Sequence, residues 1–180
     1  MIPPKTLAEL LVVSAKVGLD EFLRNFDSHY LVASGVLSGK MKEGRERNET
    51  GVLEIGGRPS HTPSQSNPQA GIVYPLTKKK RGGGSDAGRI TVGRSNEQDV
   101  CIPDASVSHA HAYFEIEGEV VFVIDAGSRN GTYLNLTKLE SGARRPVHDE
   151  DVITFGRVSY QIFSPGALFI ALQSFREGSV

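Results

Sequence analysis

Arginine, serine, histidine and asparagine side chains gather in three short polar segments of this chain, each next to an apolar run. The segments are Gly93-Arg94, then Ser106-Val-Ser108-His109-Ala-His111, then Asp125-Ala-Gly-Ser128-Arg129-Asn130-Gly131-Thr132. A guanidinium carries forked N–H donors that grip two oxygens of one anion, a hydroxyl adds a further donor, and an asparagine amide both donates and accepts. Such a donor set suits an oxyanion. The same residues admit a catalytic reading, because Ser108, His109 and Asp125 are the parts of a nucleophilic triad. Serine and histidine adjacent on one loop are poorly disposed for that geometry, and the chain has no Gly-x-Ser-x-Gly elbow. Binding, not catalysis, is expected.

These groups need a scaffold, and composition says what kind. At 180 residues and 38% hydrophobic content the chain can bury one full core with a small appendage. Lys plus Arg number 20 against 21 Asp plus Glu, a net charge of −1, so no global field draws the protein to nucleic acid or a membrane surface. Any anion must be met by a local arrangement. The lone cysteine, Cys101, has no intrachain disulfide partner and is expected as a small buried hydrophobe between Val100 and Ile102. The apolar run Leu10 to Val13 is too short for a secretory signal, and no stretch approaches a membrane span, which makes the cytoplasm the expected location.

Along the chain, Thr6 and Glu9 form a capping-box pattern ahead of a helix whose one face carries Leu7, Leu10, Leu11 and Ser14, with Gly18 as its stop. A second short turn begins at Asp20. Residues 1–28 thus read as a helical extension. Tyr30 to Leu37 and Gly51 to Ile55 are strand-like around a charged tip, and Gly56 to Ala70 has too few apolar side chains to fold, so 29–70 reads as a hairpin and flexible linker. Beyond Gly71 short apolar runs alternate with turn residues. The predicted strands are Ile72–Leu76, Arg89–Gly93, Val100–Ile102, Ala112–Glu117, Val120–Asp125, Thr132–Leu134, Asp151–Phe155 and Val158–Phe163. This is the pattern of an all-β sandwich. Pro165 opens a terminal helix over 165–180, with Leu168, Leu172 and Phe175 on one face.

Taken together, the three polar segments and the closing run His148-Asp-Glu-Asp151-Val-Ile-Thr-Phe155-Gly156 resemble the forkhead-associated (FHA) domain. The resemblance covers roughly half the chain and implies two antiparallel sheets over 71–164, flanked here by added N- and C-terminal helices. It also implies recognition of phosphothreonine in a partner protein, within Ser/Thr kinase signalling. Phosphothreonine offers a nearly dianionic group with three acceptor oxygens. By resemblance, Arg94 and Arg129 reach the phosphate, Ser108 donates its hydroxyl to it, and His109 stands beside the ligand. Asn130 holds the peptide backbone. Gly93, His111, Asp125, Gly131 and Thr132 support the loops, Gly131 through a positive φ angle. Two departures stand out: His109 replaces a longer polar or basic residue, and Glu150 replaces a usual glycine.

The resemblance calls for no cofactor and no metal. Lys78-Lys-Lys-Arg81 followed by a glycine-rich run lacks the Lys-Ser or Lys-Thr end of a P-loop and is expected as a basic hairpin tip, not a nucleic-acid patch. An alternative keeps the fold and discards the phosphate, leaving a phosphate-independent interaction or scaffold domain. Thr50 and Thr62 lie in polar stretches that a kinase could reach, and either one phosphorylated would be a tethered ligand for the chain's own pocket.

Overall fold

The structure, a computed structural model, describes residues 5–34, 71–79 and 88–177. The expected strand at 51–55, the linker to residue 70, Thr50, Thr62 and the Lys80-Arg81 part of the basic tip lie outside the described residues. The chain begins with β1 (Lys5–Thr6), α1 (Leu7–Lys16), α2 (Leu19–Asn25) and β2 (Tyr30–Ala33). After residue 71 come β3 (Ile72–Pro75), β4 (Arg89–Gly93), β5 (Val100–Cys101), β6 (Ala112–Glu117) and β7 (Val120–Asp125). The remainder is β8 (Thr132–Leu134), β9 (Thr137–Lys138), β10 (Arg145–Val147), β11 (Val152–Phe155), β12 (Val158–Phe163) and α3 (Pro165–Glu177).

One sheet runs β1-β3-β2-β12-β11-β8-β9 and the other β10-β7-β6-β4-β5. All pairings of these strands are antiparallel except β4 with β5, which is parallel, so the second sheet is mixed where two antiparallel sheets were expected. A larger difference concerns Tyr30–Ala33. The sequence reading sets 29–70 outside the sandwich, yet β2 is an interior strand of the first sheet, paired on one side with β12 and on the other with β3. All four of its residues are buried. Leu31 enters the core between the sheets, whereas Tyr30 and Val32 enter a second core on the opposite face.

That second core explains the helices. Leu7 and Leu10 of α1, Phe22 of α2, and Leu168 and Leu172 of α3 pack on Tyr30, Val32, Val73 and Phe163 from the outer face of the first sheet. The molecule is therefore three layers deep. Thr6 and Glu9 form the expected reciprocal cap at 3.2 and 3.0 Å, and Gln173 of α3 donates to the carbonyl of Ser14 at 2.7 Å. Helix α1 ends at Lys16, and Gly18 instead precedes α2 as its N-cap. Between the sheets lies the aromatic core, where Phe155 meets Phe114 edge-on at 6.4 Å. Among the described residues no helix is long and apolar enough to cross a membrane.

Candidate functional site

Three loops meet at one end of the sandwich, and backbone contacts fix how closely. Gly93 ends β4, and a Cβ placed there would stand 2.2 Å from the carbonyl oxygen of His109. Only glycine lets the 108–109 loop lie directly on that strand end. The neighbouring Arg94 then donates its N–H to the carbonyl of Ser108 at 2.8 Å, while its side chain extends into solvent. Cys101, expected to be buried, is half-exposed beneath this turn, with its Sγ 3.5 Å from the Arg94 carbonyl and 3.4 Å from Asn96 Oδ1.

His111 is fully buried and ties the second loop to the third. The N–H of Ser108 donates to its Nδ1 at 2.9 Å, and its Nε2 lies 3.2 Å from the carbonyl of Gly131. An Nδ1 that accepts cannot carry a proton, so the ring is the neutral Nε2–H tautomer. Burial, opposed by the Gly131 carbonyl and the Asp125 charge, holds its pKa below the ordinary histidine value. Phe155 meets the ring edge-on at 5.7 Å and fixes its plane.

Asp125, also buried, shapes the third loop from within. Its carboxylate accepts from the N–H groups of Gly127 (2.9 Å) and Ser128 (3.0 Å) and from the hydroxyls of Ser128 (2.6 Å) and Thr132 (2.6 Å). Burial works against its charge, but these donors outweigh it and hold the carboxyl below the usual carboxylate range. Gly131 takes φ +84°, which turns the chain from this loop into β8.

On this base the expected site residues come together. The hydroxyl of Ser108 accepts the N–H of Arg129 at 3.0 Å, an arrangement that leaves its own proton to donate outward. Asn130 donates its Nδ2 to the carbonyl of Ser106 at 2.7 Å, a further join between the second and third loops. The side chains of Arg94, His109 and Arg129 are exposed. Among the described residues neither Arg94 nor Arg129 makes an ion pair, so two unneutralised guanidiniums stand on adjoining loops. The triad does not form: Asp125 spends its oxygens on its own loop, and the Oγ of Ser108 meets a backbone N–H, not an imidazole.

Sequence reasoning missed two anchors. Asp99 accepts from the N–H and hydroxyl of Thr91 and from the N–H of Lys79, at 2.9, 3.0 and 2.9 Å, and pairs with Lys78 at 3.4 Å. Lys78 and Lys79, the start of the expected basic tip, are thus pinned to the sheet. Asp104 accepts from Ser106 and from Arg157 of the β11–β12 turn, a partner about fifty positions away with no local sequence signal. Glu150, in the usual glycine position, takes φ +70° despite its side chain.

The two-sheet scaffold thus carries end loops laced by a buried neutral histidine and a buried carboxylate, with two exposed guanidiniums beside them. Residues 90–156 match the family model of the FHA domain. The glycogen accumulation regulator GarA of Mycolicibacterium smegmatis is 39% identical over 56 residues, 31% of this chain and 35% of GarA. The oxoglutarate dehydrogenase inhibitor of Corynebacterium glutamicum is 36% identical over 84 residues, 44% of this chain and 58% of the inhibitor. The matches span less than two thirds of either relative's length. Among solved structures, an FHA domain studied for phosphothreonine-dependent interactions is similar at 20% identity and a TM-score of 0.45, over 75% of this chain and 94% of that one.

Proposed function

We propose that this chain is a phosphothreonine-binding module that docks a kinase-modified partner protein, in a cytoplasmic setting. The observation that carries this reading is the joining of Ser108 to both flanking loops: Arg94 N–H on its carbonyl and Arg129 N–H on its hydroxyl, at 2.8 and 3.0 Å. A phosphate against Ser108 would lie between the two residues that carry the exposed guanidiniums. Charge-assisted bonds of this kind are roughly twice as strong as neutral ones. In this reading Arg94 and Arg129 grip the phosphate oxygens, the hydroxyl of Ser108 donates a further bond, and His109 flanks the group. Asn130 holds the peptide backbone with the amide functions that its bond to Ser106 does not use. Gly93, His111, Asp125, Gly131 and Thr132 keep the loops in place.

The sandwich in this reading runs from β2 to β12, with residues 35–70 as an insertion and the helices as an outer cover. The names of the two relatives describe regulators of metabolism, but what is shared is the segment around the FHA domain. No target is carried over from them. The test is fluorescence anisotropy with a pool of labelled peptides, each with one phosphothreonine between randomised positions, beside phosphoserine and unphosphorylated pools. Saturable binding of the phosphothreonine pool is expected, with Arg94→Ala at least about tenfold weaker. Equal binding of the unphosphorylated pool would overturn this reading in favour of a phosphate-independent interaction domain.

A further inference from the structure

Ser106 stands at the centre of a chain of contacts that starts outside the site and ends within it. The guanidinium of Arg157 bridges the carboxylate of Asp104, with Nε at 3.1 and 3.3 Å from the two oxygens and Nη2 at 3.0 Å from Oδ2. The same carboxylate accepts the N–H and hydroxyl of Ser106 at 2.8 and 2.7 Å, and that hydroxyl in turn accepts the backbone N–H of Arg157 at 3.0 Å. The carbonyl of Ser106 takes the Nδ2 of Asn130. Gly156 closes the arrangement: a Cβ there would lie 2.5 Å from the Ser106 carbonyl oxygen, and its φ is +63°.

Resting on the phosphothreonine reading, we propose that Asp104 and Arg157 are positioning residues of the peptide site, acting through Ser106 to aim the amide of Asn130. Arg157 is not itself offered as a ligand contact. An ordinary ion pair between side chains 64% and 15% exposed would contribute little to stability. This pair differs in its fork geometry and in what it holds. Without it, the Asp104 carboxylate that holds Ser106 is no longer anchored to the β11–β12 turn, and the Ser106 carbonyl is held less firmly against Asn130. Burial works against the Asp104 charge, but Arg157 and the Ser106 donors hold its carboxyl below the usual range, so the clamp is charged at neutral pH.

The test is a double-mutant cycle on the full chain, with the randomised phosphothreonine pool as probe. Arg157→Ala is expected to weaken binding about fivefold while the melting temperature moves by no more than about 4 °C. In an Asn130→Ala background the same substitution should change binding less than about twofold, because the group it aims is gone. Arg157→Lys, which keeps one charged contact, should recover part of the loss, and Asp104→Asn should reproduce it while retaining an acceptor for Ser106. Should Arg157→Ala unfold the chain, Asp104→Asn carries the same cycle. Losses that add independently of Asn130, or wild-type affinity in Arg157→Ala and Asp104→Asn, overturn the assignment alone. No binding by the wild-type chain would overturn the phosphothreonine reading, and this assignment with it.

Discussion

The two faces of the first sheet are held down in different ways. On the outer face, helices α1, α2 and α3 cover it with Leu7, Leu10, Phe22, Leu168 and Leu172, and the buried polar side chain on this side is Ser14. The inner face packs on the apolar core between the sheets, and at the end where the loops meet, His111 and Asp125 of the second sheet and Thr132 of the first are buried together, each with a hydrogen-bond partner. The outer layer gains stability from apolar area, which is tolerant of detail. The loop end gains shape from polar groups whose partners must all be present, because an unsatisfied buried donor or acceptor is costly. Stability and site geometry therefore have separate sources in one small protein.

The largest effect expected from that separation is on the outer layer. Phe22 is fully buried, stacked on Phe26 at 4.2 Å and close to Phe169 at 5.2 Å. Phe22→Ala should cost about 3–5 kcal/mol of stability by urea denaturation. Phosphopeptide affinity, measured well below the transition, should stay at the wild-type value. A matching loss of affinity would join the two regions and break the comparison.

Asp125→Ala should do the reverse. It strands the hydroxyl of Thr132 in the interior and removes the acceptor for two backbone N–H groups and Ser128. A stability loss of about 2–3 kcal/mol is expected, smaller than at Phe22, because Ser128 and Gly127 can turn to water. Binding should be lost almost entirely, since this carboxylate accepts four hydrogen bonds within the loop that carries Arg129 and Asn130. Asp125→Asn keeps one acceptor and should fall between. Calorimetric titration beside denaturation separates the two readouts.

How far each region could be read from sequence follows from the same contrast. Helix α1 was legible because its cap and its apolar spacing are local. Strands β4, β6, β7, β8 and β12 have the predicted bounds, since apolar runs and turn residues mark them. Strand β2 was misplaced for a physical reason: Tyr30-Leu-Val-Ala33 shows no polar alternation, as befits a strand buried on both faces, and that pattern does not say which partners it takes. The hairpin of β8 and β9 was missed because Leu136, at φ +70°, occupies a turn position that usually announces itself with glycine. Strand β10 holds a proline and one buried residue, too little to register. In the candidate site, Arg94, Ser108, Arg129 and Asn130 were expected from the family resemblance, and the structure sets them on adjoining loops. The Asp104–Arg157 clamp was not, because nothing local to either residue names the other.

The smallest expected effect is also the sharpest test of the loop end. Folding lowers the His111 pKa, so as pH falls below about 6.5 the unfolded chain takes up a proton that the folded chain refuses. This contribution to stability is complete above that point and declines as pH drops toward the folded value, by no more than about 1.4 kcal/mol per pH unit for one proton. His29, half-buried and also lowered by burial against the opposing charge of Asp149, acts in the same direction, so stability alone cannot assign the effect. The geometry can. Protonating Nδ1 of His111 removes the acceptor of the Ser108 N–H, whereas among the described residues the His29 ring makes no hydrogen bond to the loops. In a titration followed by NMR, the Ser108 amide and the His111 ring should shift with one shared midpoint below that of ordinary histidine, in wild-type and His29→Gln protein alike. A His111 midpoint at or above about 6.5, or a Ser108 amide indifferent to it, would mean that the ring does not hold the loop.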